Sequence, residues 1–169
     1  MTLSIREGGP ADAPLILGLL DGAVEWLVAQ GRTGQWGTDP WSASPRAVAQ
    51  VHRYAAEGTP YIAEISGVPA ATLTLTEAPG SYVEPVDEPE RYIHLLAADH
   101  RFAGRGAGAA LLAHAAEATR RAGVSLLRVD CYAGGDGKLV GYYERNGFVR
   151  TQAFDVDGWP GQVLARRVR

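Results

Sequence analysis

Tyr92-Ile93-His94-Leu95-Leu96-Ala97-Ala98 is followed by Asp99 to Phe102 and then by Ala103-Gly104-Arg105-Gly106-Ala107-Gly108. An apolar run of strand length meets a glycine-rich loop, and an alanine- and leucine-rich segment, Ala109 to Ala122, follows. Strand, glycine loop and helix in that order make an anion cradle. Glycines let the backbone turn tightly with its N–H groups inward, and the helix start adds unpaired amides and the positive end of its dipole. A phosphate-bearing ligand is the first expectation.

Working outward, Leu3 to Arg6 reads as a first strand. Pro10-Ala11-Asp12-Ala13 starts a helix whose buried face is expected to hold Leu15, Leu19, Leu20, Ala23, Trp26 and Leu27. Glycines and a proline between Gly31 and Pro40 break the pattern, and Ser44-Pro45 opens a second helix through Tyr54. Pro60 to Ile65 and Val68 to Thr76, rich in β-branched or aromatic residues, form a hairpin across Ser66-Gly67. Glu77 to Arg91 holds Pro79, Pro85 and Pro89 and reads as a connection, not a strand. After the glycine loop the helix runs to Ala122, with Gly123 as its left-handed cap. Leu126 to Cys131 is strand-like and Asp136 to Asn146 helical, while Phe148 to Asp155 and Gln162 to Val168 finish the sheet. The order is β-α-α-β-β-β-α-β-α-β-β, an α/β (α+β) chain.

The 169 residues fit a single domain, 1–169, with a core of its own. The hydrophobic fraction is 46%, and no apolar run approaches the ~20 residues that span a bilayer, so no membrane partner is expected. Thr2-Leu3-Ser4-Ile5-Arg6 lacks a basic flank followed by an apolar core, and the single cysteine, Cys131, cannot form an internal disulfide; a cytoplasmic location is expected. A net charge of −3 argues against nucleic acid, whose phosphates demand clustered cations. Arg120 and Arg121 suit a helix C-terminus, and Arg166, Arg167 and Arg169 a solvated chain end. His52, His94, His100 and His114 have no metal-ligand spacing, so no metal is expected. A homodimer is compatible with this composition.

A second motif follows the glycine loop: Asp136-Gly137-Lys138-Leu139-Val140-Gly141-Tyr142-Tyr143-Glu144-Arg145-Asn146-Gly147-Phe148. Together the two blocks resemble the acetyl-CoA signature of the GNAT superfamily of N-acetyltransferases. The first is similar to its pyrophosphate loop, Gln/Arg-x-x-Gly-x-Gly/Ala, and the second to its Asn-x-x-Ala-x-x-x-Tyr-x-x-x-Gly-Phe helix. Ala103 stands where that family has Gln or Arg, and Asp136 where it has Asn. The element order also agrees. The resemblance implies a GNAT-like fold: a central, mostly antiparallel sheet with one parallel, splayed strand pair and flanking helices.

It further implies an N-acetyltransferase that moves the acetyl group of acetyl-CoA to an amine by direct attack in a ternary complex. The backbone from Ala103 through Gly104, Arg105, Gly106 and Ala107 to Gly108 would hold the CoA pyrophosphate, with Arg101 or Arg105 compensating for Ala103. Leu96, Ala97 and Ala98 would bond the pantetheine like an extra strand, and Asp136 and Leu139 belong to the same donor site. Tyr143, four residues before Gly147, takes the general-acid position; a phenol of pKa ~10 can protonate a thiolate if the transfer is local.

Three residues remain open as the general base. His94, whose residue type can accept the ammonium proton near neutral pH, is expected, with Tyr92, on the face of its strand that also carries Leu96 and Ala98. Asp130 and Tyr132 share a face of the next strand. Cys131 points away from Asp130 and reads as a small core residue rather than a nucleophile. For the acceptor, Trp36 and Trp41 lie in a non-regular segment rich in glycine and proline, and Tyr132 joins them as a substrate-binding residue. Glu77, Glu84, Asp87, Glu88 and Glu90 crowd one connection, so a small, cationic amine such as a polyamine, amino-sugar or basic amino-acid derivative is the expected acceptor.

Two other readings compete. A non-catalytic CoA-binding or sensor protein would explain the departures at Ala103 and Asp136, though not the presence of Tyr143. A dinucleotide site of the NAD type is suggested by Gly104-x-Gly106-x-x-Ala109 and by Asp130 at the end of the next strand, about twenty residues on. Against it, Asp99 to Ala103 separate strand from glycine, where that fold turns directly on the first glycine.

Overall fold

The computed structural model describes residues 2–169. Its elements are β1 (Leu3–Glu7), α1 (Ala13–Ala29), α2 (Pro45–Glu57), β2 (Thr59–Ile65), β3 (Val68–Thr76), β4 (Glu90–Ala98), α3 (Ala107–Arg121), β5 (Leu126–Tyr132), α4 (Lys138–Arg145), β6 (Val149–Val156) and β7 (Trp159–Arg167), in the order the sequence implies. Among the described residues the strands form a seven-stranded mixed sheet in the order β1-β2-β3-β4-β5-β7-β6, flanked by helices. β4 and β5 run parallel, joined by α3 because a parallel pair requires a long crossover. β1 with β2, β2 with β3, β5 with β7, and β6 with β7 run antiparallel. No helix among the described residues is long and apolar enough to cross a membrane.

The chain groups into two compact units. One holds the residues up to Thr76 together with His94–Leu112; the other holds Glu77–Ile93 together with Ala113–Arg169.

In the first unit, α1 buries Ala13, Ile16, Leu19, Leu20 and Val24. This corrects the expected face. Ile16, Leu20 and Val24 form the i, i+4 stripe, while Leu15 and Ala23 are only partly buried. The helix is apolar on nearly every side, so several stripes compete in the sequence and packing selects one. The selected stripe meets Val51 of α2, Ile62 of β2 and Ala97 of β4. Ser44 caps α2 by accepting a hydrogen bond from the Ala47 amide at 3.2 Å, with Pro45 at the first helical position. At Gly58, between α2 and β2, a Cβ would stand 2.5 Å from the Leu75 carbonyl oxygen, so only glycine fits there. The hairpin turns on Ser66 and Gly67, both at positive φ, which is the hand that suits strand twist.

In the second unit β6 reaches Val156 and β7 begins at Trp159, not Gln162. The two strands turn on Asp157 (φ 50°) and Gly158 (φ 86°), and Gly158 donates its amide to the Asp155 carboxylate at 2.7 Å. An Asp-Gly pair between Val156 and Trp159 is the signal that would have set these limits. β4 likewise starts at Glu90, inside the segment expected to be a connection. Glu90 is drawn in by a buried, two-pronged ion pair with Arg128 of β5, at 2.7 and 2.9 Å, the geometry in which a planar guanidinium matches a carboxylate. The parallel register runs from Glu90 opposite Leu126 to Ile93 opposite Val129.

Candidate functional site

The glycine loop lies in the first unit. Asp99 caps a short 3-10 turn, His100–Phe102, by accepting the Arg101 amide at 3.0 Å, and it also holds the Arg101 guanidinium at 2.6 Å. Arg101 is therefore committed to Asp99, while the Arg105 guanidinium lies 5.9 Å from the centre of the Phe102 ring. Gly104 and Gly106 both take φ 79°, and a Cβ on either would stand in open space. They are needed for the sign of φ and not for room. The first i to i−4 bond of α3 runs from the Ala110 amide to the Gly106 carbonyl at 2.9 Å. The amides of Ala107, Gly108 and Ala109 therefore precede the helical ladder and converge on the positive end of the helix dipole, a donor set suited to a diphosphate without a cation. Ala103 is exposed and adds no side-chain donor.

Upstream in β4, Leu95 takes φ 57°. A branched apolar residue in the left-handed region is a genuine outlier and costs about 1–2 kcal/mol. The regular alternation expected to carry Tyr92, His94, Leu96 and Ala98 on one face does not continue through it. Leu95 and Ala97 both pack with the Ile16 cluster, Leu96 is half-buried and Ala98 is exposed. His94 is buried, its ring stacked on Tyr54 at 4.2 Å and its Nε2 2.9 Å from the Thr76 hydroxyl. Trp36 and Trp41 meet edge to face at 5.7 Å and pack against the same Ile16 cluster, so both are largely accounted for as core.

The second unit gathers the other candidates. On β5, Arg128, Asp130 and Tyr132 alternate onto one face and Cys131 onto the other. Asp130 accepts a hydrogen bond from the Tyr92 hydroxyl at 2.6 Å and a longer one from the Tyr82 hydroxyl at 3.3 Å. Burial raises its carboxyl above the ordinary range, opposed by the two phenols and by Arg128. Tyr92 is fully buried with the Arg128 guanidinium 5.4 Å from its ring centre, so Glu90, Arg128, Tyr92 and Asp130 form one chain of contacts. Tyr92 was expected on the face of its strand with His94, but nothing in the local sequence announced Tyr82, the Tyr92–Asp130 bond or the Glu90–Arg128 pair. The available signal was an arginine and an aspartate inside an otherwise apolar strand.

Tyr143 of α4 is buried between Tyr142 and Phe148, each edge to face. Its hydroxyl has no hydrogen-bond partner among the described residues. Burial above all, and then the proximity of Cys131, Tyr142 and Asp130, holds its pKa well above that of an ordinary phenol, so it stays protonated. The Cys131 thiol is buried and pushed up to about 12 by burial and by Asp130, so it holds no thiolate at neutral pH. The Asp136 carboxylate, one residue before the N-cap Gly137, accepts the Lys138 amide at 3.1 Å, and Leu139 is half-buried one turn before Tyr143. The acidic connection carries less free charge than its composition suggests. Glu77 pairs with Arg91, Glu88 with Arg167 and Glu90 with Arg128, leaving Glu84 and Asp87 exposed.

The model of the acetyltransferase (GNAT) family matches residues 21–148. No curated protein is significantly similar to the chain in sequence. Solved structures share its fold at low identity. The yncA protein of Salmonella typhimurium, with acetyl-CoA, is 15% identical over 100% of this chain and 95% of its own, with a TM-score of 0.66. The PaiA N-acetyltransferase of Thermoplasma acidophilum, in complex with coenzyme A, is 14% identical over 99% of both chains, at 0.71. The ribosomal-protein-alanine N-acetyltransferase of Brucella melitensis is 19% identical over 97% of this chain and 99% of its own, at 0.67.

Proposed function

Because the chain belongs to the acetyltransferase (GNAT) family, we propose that it transfers the acetyl group of acetyl-CoA to the amine of a small, cationic substrate, by direct attack in a ternary complex. The observation that carries this reading is Tyr143: a buried, protonated phenol at the acid position of its motif, with no internal partner for its hydroxyl. A phenol kept only for packing would be replaceable by phenylalanine. One kept protonated and unpaired is ready to give its proton to a departing sulfur.

The donor supplies an activated thioester; the chain supplies the rest. Amides at the start of α3 bind the diphosphate, and because they are backbone groups the departure at Ala103 weakens binding without abolishing it. Asp130 takes the ammonium proton. Burial raises its carboxyl above the ordinary range, whereas His94 is already engaged by Thr76 and Tyr54. The amine nitrogen then forms its bond to the acetyl carbon, the carbon–sulfur bond breaks, Tyr143 protonates the sulfur, and the second proton shed by the nitrogen restores the Tyr143 phenol through solvent while Asp130 releases the first. Cys131, with its thiol pushed up to about 12, favours this direct route over an acetyl-cysteine relay.

The test is a panel of cationic, neutral and anionic amines with acetyl-CoA, read by thiol release. Cationic amines should turn over best, with kcat/KM falling as salt rises, since attraction to a carboxylate is screened over ~8 Å at physiological ionic strength. Tight acetyl-CoA binding with no turnover of any amine would instead establish a CoA-binding sensor.

A further inference from the structure

Asp130 is joined by a surface of aromatic rings that the transfer chemistry does not require. Tyr82 lies 5.3 Å from Phe154, Phe154 6.1 Å from Trp159, and Trp159 5.5 Å from Tyr132, measured between ring centres. Three glycines seat these rings. A Cβ on Gly80 would stand 2.5 Å from the Tyr82 ring, one on Gly134 would overlap the Tyr132 ring, and one on Gly161 would overlap the Phe154 ring. The sheet register explains the last of these: Tyr132 of β5 and Phe154 of β6 both stand opposite Gly161 of β7, and the Phe154 ring closes over this position without a side chain.

Phe154 packs against the Val83, Tyr92 and Val163 cluster, but none of the four rings is fully covered. Tyr82 is 45% exposed, and Phe154, Trp159 and Tyr132 are each half-buried. At one end the Tyr82 hydroxyl reaches the Asp130 carboxylate, which has no ion pair among the described residues because Arg128 is held by Glu90. A wall of aromatic rings tilted by 36–45° from one to the next, ending in a carboxylate without an ion pair, fits a ligand with one positive charge and an aromatic body.

On the reading that the chain is an amine acetyltransferase, we propose that Tyr82, Phe154, Trp159 and Tyr132, with Asp130, select an arylalkylamine as acceptor. Its ammonium group sits at Asp130 and its ring lies on the aromatic wall. Ring stacking and the attraction of a cation to aromatic faces both favour such a ligand over an open-chain amine of equal basicity. This narrows the acceptor from the polyamines and amino-sugars that an acidic connection alone suggests.

The experiment compares 2-phenylethylamine, hexylamine, 1,4-diaminobutane and glucosamine as acceptors at saturating acetyl-CoA, for the unaltered protein and for Phe154→Leu, Trp159→Leu and Phe154→Tyr. The expected result is the lowest KM for 2-phenylethylamine. Either leucine variant should raise that KM by about tenfold while kcat and the KM for acetyl-CoA hold, and Phe154→Tyr, which keeps the ring, should restore it. Better turnover of the diamine or the amino-sugar, or leucine variants that leave the KM for 2-phenylethylamine unchanged, overturns the inference and leaves the transferase reading standing. If no amine is acetylated at all, both fall.

Discussion

The start of α3 and the surroundings of Asp130 are both prepared for a charge, and they are built in opposite ways. The loop from Ala103 to Gly106 is exposed, and its donors are backbone amides set by two glycines at φ 79°. Asp130 is a partly buried side chain held by hydroxyls from residues 38 and 48 positions away. A backbone site depends on φ alone and tolerates side-chain changes such as Ala103. A side-chain site depends on every partner, because an unmatched carboxylate in a dry setting shifts its pKa or loses its orientation.

The widest test of that contrast is at Tyr143. Replacement by phenylalanine removes one oxygen from a position with no internal hydrogen bond, so stability should hold while kcat falls by about a hundredfold or more, with acetyl-CoA affinity unchanged. Titration calorimetry for the donor and steady-state rates for the acceptor separate the two effects. A wild-type kcat would move the acid role to Tyr142, Tyr132 or water.

Asp130→Asn comes next and is read through pH. The folded-state carboxyl is raised by burial, so its proton favours the folded state. That contribution is complete below the unfolded pKa of about 3.9 and is lost as pH rises through the folded value. The variant should therefore flatten the decline in thermal stability over that window. It should also lower kcat/KM by about a hundredfold, the lower end of the scale for a positioned base, and remove the first ascending limb of the pH–rate profile, leaving only the rise set by the amine itself, near pH 10. An unaltered profile would return the base role to His94 or Tyr132.

The smallest effect is expected at the loop. Gly106→Val forces a β-branched residue to φ 79°, where the space around it is open. The cost is conformational, about 1–2 kcal/mol, and should appear as a roughly tenfold weaker acetyl-CoA affinity with kcat at saturation little changed. Full affinity in this variant would mean that the φ of Gly106 does not set the donor amides.

These three sites were not equally legible in the sequence. The glycine loop and the Tyr143 helix could be read because their parts are neighbours in the chain: positive φ needs glycine, and a helix start needs nothing beyond itself. The ends of β4, β6 and β7 were misjudged where proline and glycine suggested breaks. At Glu90 the buried pair with Arg128 overrides the local signal, and at Gly161 the absent side chain makes room for Phe154.

The order of elements, the glycines ahead of α3, the place of Tyr143 on α4 and the membership of Asp130 and Tyr132 in one strand face were legible in the sequence alone, because each follows from spacing along a single segment. Only the tertiary structure decided that Ile16, Leu20 and Val24 form the buried stripe of α1, that Leu95 breaks the alternation of β4, that Arg128 is spent on Glu90, and that Tyr82 and Tyr92 hold Asp130. The physical reason is common to all four: each depends on which of several locally equivalent groups finds a partner distant in sequence, and pairing of that kind is chosen by packing and burial, not by spacing.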